Sequence, residues 1–280
     1  MDGLFQRSGR PPSCLDVDRR PRSRLTSAPF AAKENPIMHF RAVLLCVFLM
    51  FASFASRAAE PGSDLFAAIK QNDMPRLRAL VAGDPTVLAT RNAQGLSPLM
   101  FAAYYERPEM VAFLHGKDTD LDFYEACVSG DKTAVKRFLA LGQDIEQRHS
   151  DGFTALGLSV FFKQPEIARL LIDAGANVDA QATNTLRVAP IHAAVARSDL
   201  ATLQLLLLKG ADPNLAQQRL MRPLHEAAAA GNLPIVAMLL MFGADPTTRN
   251  EEGKTAADFA REKGNSEIAD RLDALSRSSR

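Results

Sequence analysis

The sequence predicts an all-α solenoid, a stack of helix pairs that repeat along the chain. Three observations lead to this prediction. An apolar helical pattern recurs with a period of about 33 residues, which is typical of repeat architectures. Glycines recur behind that pattern at Gly142, Gly175, Gly210 and Gly243. The composition is 47% hydrophobic but only 7% aromatic, with no Trp, and such an alanine- and leucine-rich chain favours helices over sheets.

Each repeat unit is predicted to contain a first helix, a turn, a second helix and a connecting loop. Prolines such as Pro165 and Pro234 stand just inside the second helix, where a missing N–H costs nothing. The second helix ends at a glycine that can adopt positive φ, as at Gly175 and Gly243. The pattern predicts about seven units, near 64–93, 94–117, 118–150, 151–183, 184–218, 219–250 and 251–275.

The first helices begin with a motif that resembles the ankyrin repeat, whose signature is Thr-Pro-Leu-His-x-Ala. The matching segments are Ser97–Ala103, Ala189–Ala194 and Arg222–Ala228, with degenerate forms at Thr154–Gly157 and Thr255–Asp258. The resemblance covers about Asp64 to Leu275, and it is strongest to the exported ankyrin proteins of bacteria. It implies an ankyrin-repeat domain over 64–275, with short β-turn fingers between units and a protein-binding function.

One connection between units is predicted to lack a finger. Glu109 and Thr133 begin equivalent segments of two second helices, yet they lie only 24 residues apart. The shortening falls at Gly116–Leu121, which is too short for a finger and its turn. We therefore expect the row of fingers to be interrupted there, and we expect the gap to open access to aromatic rings beside it.

The candidate binding residues are large side chains on the first helices and polar side chains nearby. The positions after the signature hold Tyr104 and Tyr105 in one unit and Phe161 and Phe162 in another. The resemblance places these positions on the concave face, so the rings are candidate anchors for a protein partner over units two to four. The alternative is that they pack between units. The candidate polar contacts are Arg148, His149, Arg197 and Arg219.

The sequence contains no residue pattern that predicts catalysis, a cofactor or a metal. His149-Ser150-Asp151 contains the residue types of a catalytic triad, but neighbours in one turn cannot form its spatial relay. A zinc-protease motif, paired cysteines and a phosphate-binding glycine loop are not found in the sequence. His192 and His225 occupy the signature histidine position, for which the resemblance implies a structural role. Cys127 aligns with a small core position and is predicted to be buried and inert.

A signal peptide is predicted at 38–58. Met38–Arg41 forms a short basic start, Ala42–Ala55 carries no charge, and Ser56 and Ala58 provide small residues before a cleavage site. A retained membrane anchor is the alternative, but fourteen residues span only roughly 21 Å of a roughly 30 Å hydrocarbon core. The signal peptide predicts a periplasmic or secreted protein without a membrane span after cleavage. It also makes 1–37 a doubtful or disordered extension, with translation starting at Met1 or Met38, and 276–280 is predicted to be a polar tail.

The charge distribution argues against a nucleic-acid partner. Residues 59–280 carry 24 Lys and Arg against 28 Asp and Glu, whereas phosphate recognition needs a basic face. We therefore expect a non-catalytic protein-binding scaffold exported to the bacterial periplasm. Three alternatives stay open: an immunity or inhibitor protein that masks a toxin or an enzyme, an accessory factor in oxidative-stress defence, and a secreted effector that acts on a host.

Overall fold

The computed structural model describes residues 62–117 and 120–278. In these ranges fourteen α-helices form seven consecutive pairs, and isolated bridge pairing replaces regular strands. The pairs are α1 (Ser63–Gln71) with α2 (Met74–Gly83), α3 (Pro98–Tyr104) with α4 (Pro108–His115), α5 (Phe123–Ser129) with α6 (Lys132–Ala140), α7 (Ala155–Phe161) with α8 (Pro165–Asp173), α9 (Pro190–Ala196) with α10 (Leu200–Leu208), α11 (Pro223–Ala229) with α12 (Leu233–Met241), and α13 (Ala256–Glu262) with α14 (Ser266–Ser278). The predicted all-α solenoid of seven units is confirmed, and we number the units 1 to 7 in this order.

Short 3-10 turns supplement the helices at Pro85–Ala89 and Gln218–Leu220. The predicted signal peptide at 38–58 and the extension at 1–37 lie outside the described residues. Residues 276–278, predicted as part of a polar tail, continue α14 instead, and the Ser276 hydroxyl donates to the Leu272 carbonyl at 2.9 Å. Among the described helices, none combines the length and the apolar character that crossing a membrane requires.

Most helices begin where the sequence supplies a capping group. The Asp131 carboxylate accepts from the Ala134 amide at 2.9 Å, and Asp199 accepts from Thr202 at 3.0 Å. Such caps satisfy amides that the first turn leaves without a helical partner. Pro165 and Pro234 lie in the first turn of α8 and α12, as their positions in the sequence predict.

Stacking of neighbouring units buries one continuous apolar core. Leu171, Leu206 and Leu239 occupy equivalent positions in α8, α10 and α12, and each is 0% exposed. Between the first helices the core is lined by small side chains such as Ala194 and Ala227, which allow close approach of the backbones. Since a single helix pair cannot bury its apolar face, the period of the sequence is also the period of the core.

The connection between units 2 and 3 is shortened, as predicted. It runs over 116–122, of which 118 and 119 are not described, whereas the next connection runs over 141–154. Full-length fingers close with a backbone hydrogen bond such as that from the His149 amide to the Phe153 carbonyl, at 2.9 Å. The described residues of 116–122 form no such bond across a turn. The described residues of this connection therefore form no finger, and the connection has half the length of the next one.

Candidate protein-interaction surface

Units 2 and 4 contact each other directly, although unit 3 separates them in the sequence. The Tyr104 ring, at the end of α3, packs edge-on against Phe162 with the ring centroids 5.1 Å apart. Its hydroxyl donates a hydrogen bond to the Asp151 carboxylate in the finger of unit 4. In addition, a Cβ atom on Gly95 in the finger of unit 2 would lie 3.5 Å from Ser150 Oγ. The fingers of units 2 and 4 are therefore neighbours.

This arrangement follows from the shortened connection at unit 3. A finger projecting from 116–122 would occupy the space between the fingers that contain Gly95 and Ser150. Without it, those two fingers approach each other and the turn ends of α3 and α7 meet. The expectation that the gap would open access to the rings is thus wrong, because the finger of unit 4 fills it and Tyr104 packs into the contact.

Asp151 connects the contact to unit 3. Its Oδ2 atom lies 3.1 Å from His149 Nδ1, while Oδ1 accepts from the Phe153 amide at 3.0 Å. The His149 ring packs against Tyr124 of α5 with centroids 5.0 Å apart, and the side chain is only 9% exposed. Burial and the nearby Asp151 carboxylate hold the pKa of Tyr104 well above its usual value, so the hydroxyl stays protonated and acts as a donor.

A second polar contact joins units 2 and 5. Glu106 follows α3 and lies 2.9 Å from the Arg197 guanidinium at the end of α9. The same guanidinium lies over the Phe161 ring, 5.4 Å from its centroid. Glu106 has φ 53°, at a turn where units 3 and 6 use Gly130 and Gly231. A left-handed conformation costs a side-chain-bearing residue roughly 1 kcal/mol, and the carboxylate offsets part of that cost by pairing with Arg197.

We name this cluster the clasp and define it as Tyr104, Asp151, Phe161 and Phe162 together with the Glu106–Arg197 ion pair. It contains four of the eight candidate residues. Phe161 is buried at 7% exposure, and Tyr104 and Phe162 are partly buried. His149 borders the clasp through Asp151. The structure thus places these rings against one another, between units of the array.

The other candidate residues lie apart from the clasp. Tyr105 caps α3 and packs on Phe101 with centroids 4.6 Å apart. Arg148 is directed along the fingers and donates to the Gln181 carbonyl at 2.5 Å. Arg219 lies in the finger of unit 6 and forms an ion pair with Glu252 of the next finger.

Sequence reasoning missed Asp151 and Glu106 as members of the cluster. Asp151 was considered only as part of His149-Ser150-Asp151, and its partner Tyr104 is 47 residues away. Glu106 stands at a left-handed turn position that other units fill with Gly130 and Gly231 but also with Lys163 and Ser198, so its residue type alone does not identify it.

The fingers of units 4 to 7 form a continuous ladder of backbone hydrogen bonds. The Thr183 amide donates to the Gly152 carbonyl at 3.0 Å, and the Gln218 amide to the Leu186 carbonyl at 3.0 Å. The Glu251 amide continues the series by donating to the Arg219 carbonyl at 3.1 Å. We call this surface the finger row and define it as residues 148–153, 181–188, 217–221 and 249–254. Its exposed tips are held in place by neighbouring fingers.

The finger of unit 6 has an unusual tip. Arg219 and Leu220 have φ 60° and 54°, the left-handed conformation that hairpin tips usually assign to glycine or asparagine. Leu220 is 46% exposed, and Arg219 is held by Glu252. Left-handed non-glycine residues persist only where the surroundings enforce them, and they concentrate at functional positions. The backbone hydrogen bonds to the fingers of units 5 and 7 hold the turn in this conformation.

The histidines and the cysteine have structural environments. His192 Nδ1 accepts from the Ala189 amide at 3.2 Å, and its Nε2 lies 2.9 Å from the Leu215 carbonyl in the loop before unit 6. Burial lowers the pKa of His192 to about 4, so its ring is neutral. His225 Nδ1 accepts from the Arg222 amide at 3.2 Å. Burial raises the pKa of the Cys127 thiol to about 12, which removes the reactive thiolate.

Two further features bear on chemistry. Glu226, on the first helix of unit 6, has its Oε2 atom buried without a hydrogen-bond partner, and burial raises the pKa of this carboxyl group to about 8. Across the part of the chain that the structure describes, His, Cys, Asp and Glu side chains do not gather in threes that could hold a metal ion.

Helix pairs with a fixed period, joined by projecting fingers, define the class of the protein as a helical-repeat binding scaffold. Comparison with protein families gives the particular family. Residues 123–217 match the model of ankyrin repeats in three copies, and residues 206–260 match a second model of ankyrin repeats in many copies. This part of the chain thus matches ankyrin repeats, and the neighbouring helix pairs extend the same array.

Relatives of known name share the repeats over part of their length. The chain is 30% identical over 120 residues to the mouse (Mus musculus) ankyrin repeat and SAM domain-containing protein 6, a match that covers 39% of this chain and 14% of that protein. It is 34% identical over 98 residues to the ankyrin repeat protein YahD of Escherichia coli, covering 35% of this chain and 48% of YahD. It is 29% identical over 106 residues to mouse protein phosphatase 1 regulatory subunit 27, covering 34% of this chain and 69% of that protein. The chain thus spans only a small part of the mouse SAM-domain protein.

Proposed function

We propose that this chain is a non-catalytic scaffold that binds a protein partner through its finger row after export to the bacterial periplasm. The observation that carries the binding proposal is the ladder that joins the fingers of units 4 to 7. Because each finger is held by its neighbours, the exposed tips lose little conformational entropy when a partner binds. A preorganised surface of this kind suits recognition of another protein.

The tip of unit 6 is the central contact in this proposal. Leu220 projects an exposed apolar side chain from a strained turn, next to Arg219. Polar side chains on the adjacent fingers, such as Thr185 and Glu251, would form the rim around it. An apolar anchor surrounded by polar groups is the usual anatomy of a protein interface. The name of one relative, a phosphatase regulatory subunit, supports a role in binding other proteins.

The sequence before the array supports the export proposal. Residues 38–58 have the basic start, the short apolar run and the small residues of a signal peptide. The only cysteine after this segment is Cys127, which is buried, so the fold needs no disulfide and offers no exposed thiol to an oxidising compartment.

Site-specific photocrosslinking in bacterial cells tests the binding surface. A benzoylphenylalanine side chain at position 220 should crosslink to one predominant protein, identified by mass spectrometry. The matched control carries the same group at Met241, which is 83% exposed on a second helix. Leu220→Asp, introduced with a crosslinker at position 185, should abolish the adduct, whereas Met241→Asp should leave it unchanged. Adducts from position 241 but not from positions 220 or 185 would place the partner elsewhere.

A reporter fusion tests export separately. Alkaline phosphatase becomes active only after it leaves the cytoplasm, so residues 38–62 fused to it should give active enzyme and a product that begins at residue 59. The control is Leu45→Arg, which interrupts the apolar run with a charge. Equal activity from both fusions, or an inactive unmodified fusion, would refute export by this segment.

A further inference from the structure

The clasp joins units that a regular solenoid keeps apart. In such an array each unit contacts its immediate neighbours, and stability is a sum of units and adjacent interfaces. Here Tyr104 of unit 2 bonds to Asp151 of unit 4, and Glu106 of unit 2 pairs with Arg197 of unit 5. These contacts bypass unit 3 and add to the helix packing between successive units.

The stack is held chiefly by the core between successive units. The buried core runs through each successive interface, with Leu99 of unit 2, Ala126 of unit 3 and Leu156 of unit 4 all nearly inaccessible to solvent. Of the clasp residues, Phe161 belongs to this buried core, whereas Tyr104 and Phe162 are partly buried and pack against it. The Glu106 and Arg197 side chains are 40% and 24% exposed, so their pairing contributes modestly. The Glu106–Arg197 pair can therefore be broken at small cost, while the helix packing between successive units stays in place.

Breaking the clasp contacts would change which side chains are exposed on the surface. In the observed structure Tyr104 and Phe162 cover each other, and the Arg197 guanidinium covers Phe161. If units 2 and 4 separate, the Tyr104 and Phe162 rings become accessible together with the Asp151 and Glu106 carboxylates. Clustered aromatic residues are the side chains that most often anchor protein interfaces. The rings are thus withheld from binding by contacts within the array.

We propose that the clasp is an autoinhibitory latch, which holds units 2 and 4 closed over an aromatic surface and releases that surface when the Tyr104–Asp151 and Glu106–Arg197 contacts are broken. The latch exists because the shortened connection at 116–122 leaves no finger between the two units. It shares Asp151 with the finger row proposed above, but the ladder of that row consists of backbone hydrogen bonds, such as the one from the Thr183 amide to the Gly152 carbonyl, and does not use the Asp151 carboxylate.

Distance measurement between units 2 and 4 tests the latch. Spin labels at Glu109→Cys on α4 and Glu166→Cys on α8, both exposed, report the separation by pulsed electron resonance in a background in which Cys14, Cys46 and Cys127 are replaced by Ser. Tyr104→Phe keeps the ring and removes the hydroxyl donor, which should raise the ratio of open to closed molecules roughly tenfold. Adding Arg197→Ala should raise it further. Lys209→Ala breaks a surface ion pair with Asp173 that lies outside the clasp, so it should leave the distances unchanged.

Each outcome decides the proposal. A longer distance in Tyr104→Phe/Arg197→Ala, with unchanged helix content by circular dichroism and increased binding of an apolar fluorescent dye, supports it. Unchanged distances in that folded variant overturn it, because the contacts then do not hold the units together. Unfolding of Tyr104→Phe also overturns it, since a latch on a self-sufficient stack must be removable. Asp151→Asn, which is nearly isosteric, provides a second test of the same hydrogen bond.

Discussion

Glu106 and Arg197 are 91 residues apart in the chain, yet their side chains form an ion pair of 2.9 Å. The pair connects unit 2 to unit 5, and Arg197 also covers the Phe161 ring. In a straight array, units that are three apart would be too distant for one pair of side chains. The pair lies beside the contact between units 2 and 4, which the shortened connection of unit 3 allows.

The Arg197→Ala variant should lose little stability. A partly exposed ion pair contributes about 0.2–1 kcal/mol, and the contact with the Phe161 face contributes about 0.5–1 kcal/mol. We therefore expect a total loss of about 1–2 kcal/mol in urea unfolding, decreasing at high salt. Lys209→Ala, which removes another surface pair, should cost no more than about 1 kcal/mol. A loss above about 4 kcal/mol for Arg197→Ala would mean that the residue belongs to the core.

Burial of His192 should make the fold sensitive to mild acid. Its pKa is about 4 in the folded chain, against an ordinary value of 6.5. A depressed pKa of a base means that the unfolded state takes up the proton first. Stability is therefore fully present above pH 6.5 and falls by about 3 kcal/mol as pH decreases towards 4.

His192→Gln tests this pH dependence, with unfolding measured at intervals from pH 7.5 to 4. The variant should be less stable at pH 7.5 because it loses the bonds to Ala189 and Leu215. The difference from the unmodified chain should shrink as the pH falls. His115→Gln, at a partly exposed position, serves as the control. A constant difference across the range would contradict a buried neutral histidine.

Burial of Glu226 should make the fold less stable at high pH, the opposite of the effect of His192. Burial raises the pKa of its carboxyl group to about 8, so the folded chain holds a proton that the unfolded chain releases near 4.5. Stability is therefore lost as the pH rises from about 4.5 to 8. Glu226→Gln removes the charge and should stabilise the fold by about 2–4 kcal/mol above pH 8. Near pH 4.5 the two proteins should unfold at similar urea concentrations.

The exposed Glu109→Gln serves as the matched control for Glu226 and should not alter the pH profile. Thermal unfolding at pH 5, 7 and 8.5 provides a second measurement. If Glu226→Gln is destabilised at high pH, its carboxylate must have a favourable partner when charged. The buried Oε2 atom without a hydrogen-bond partner argues for the stabilising outcome.

Cys127 should be unreactive in the native state. The side chain is 0% exposed, and burial raises its pKa to about 12, so the nucleophilic thiolate is scarce. In a Cys14→Ser/Cys46→Ser variant, Ellman's reagent should modify Cys127 only after unfolding, at a rate that follows the denaturant transition. Ser150→Cys, on an exposed finger, is the control and should react at once in the native protein. Rapid native modification of Cys127 would show that α5 opens locally.

Much of the array could be predicted from the sequence because the residues that start the helices and fill the core act locally and repeat with a fixed period. Pro165 and Pro234 begin second helices, and Leu171 and Leu239 repeat at the spacing of the core, so one rule applied along the chain gives seven helix pairs. The shortened connection at 116–122 was also visible, since it is a matter of counting residues. His192 was correctly interpreted as a brace because the ring sits at a fixed place in the motif.

What the sequence by itself determined is therefore the unit, its repetition and the place where a finger is missing. Only the tertiary structure decided what that missing finger does. The partners of Tyr104 and Glu106 are Asp151 and Arg197, and those pairings depend on how the small rotations between successive units add up. Periodicity specifies each interface separately, whereas the approach of units 2 and 4 is a sum over several interfaces. No local sequence pattern shows how these interfaces combine. The rings that were candidate anchors are therefore found packed inside the clasp.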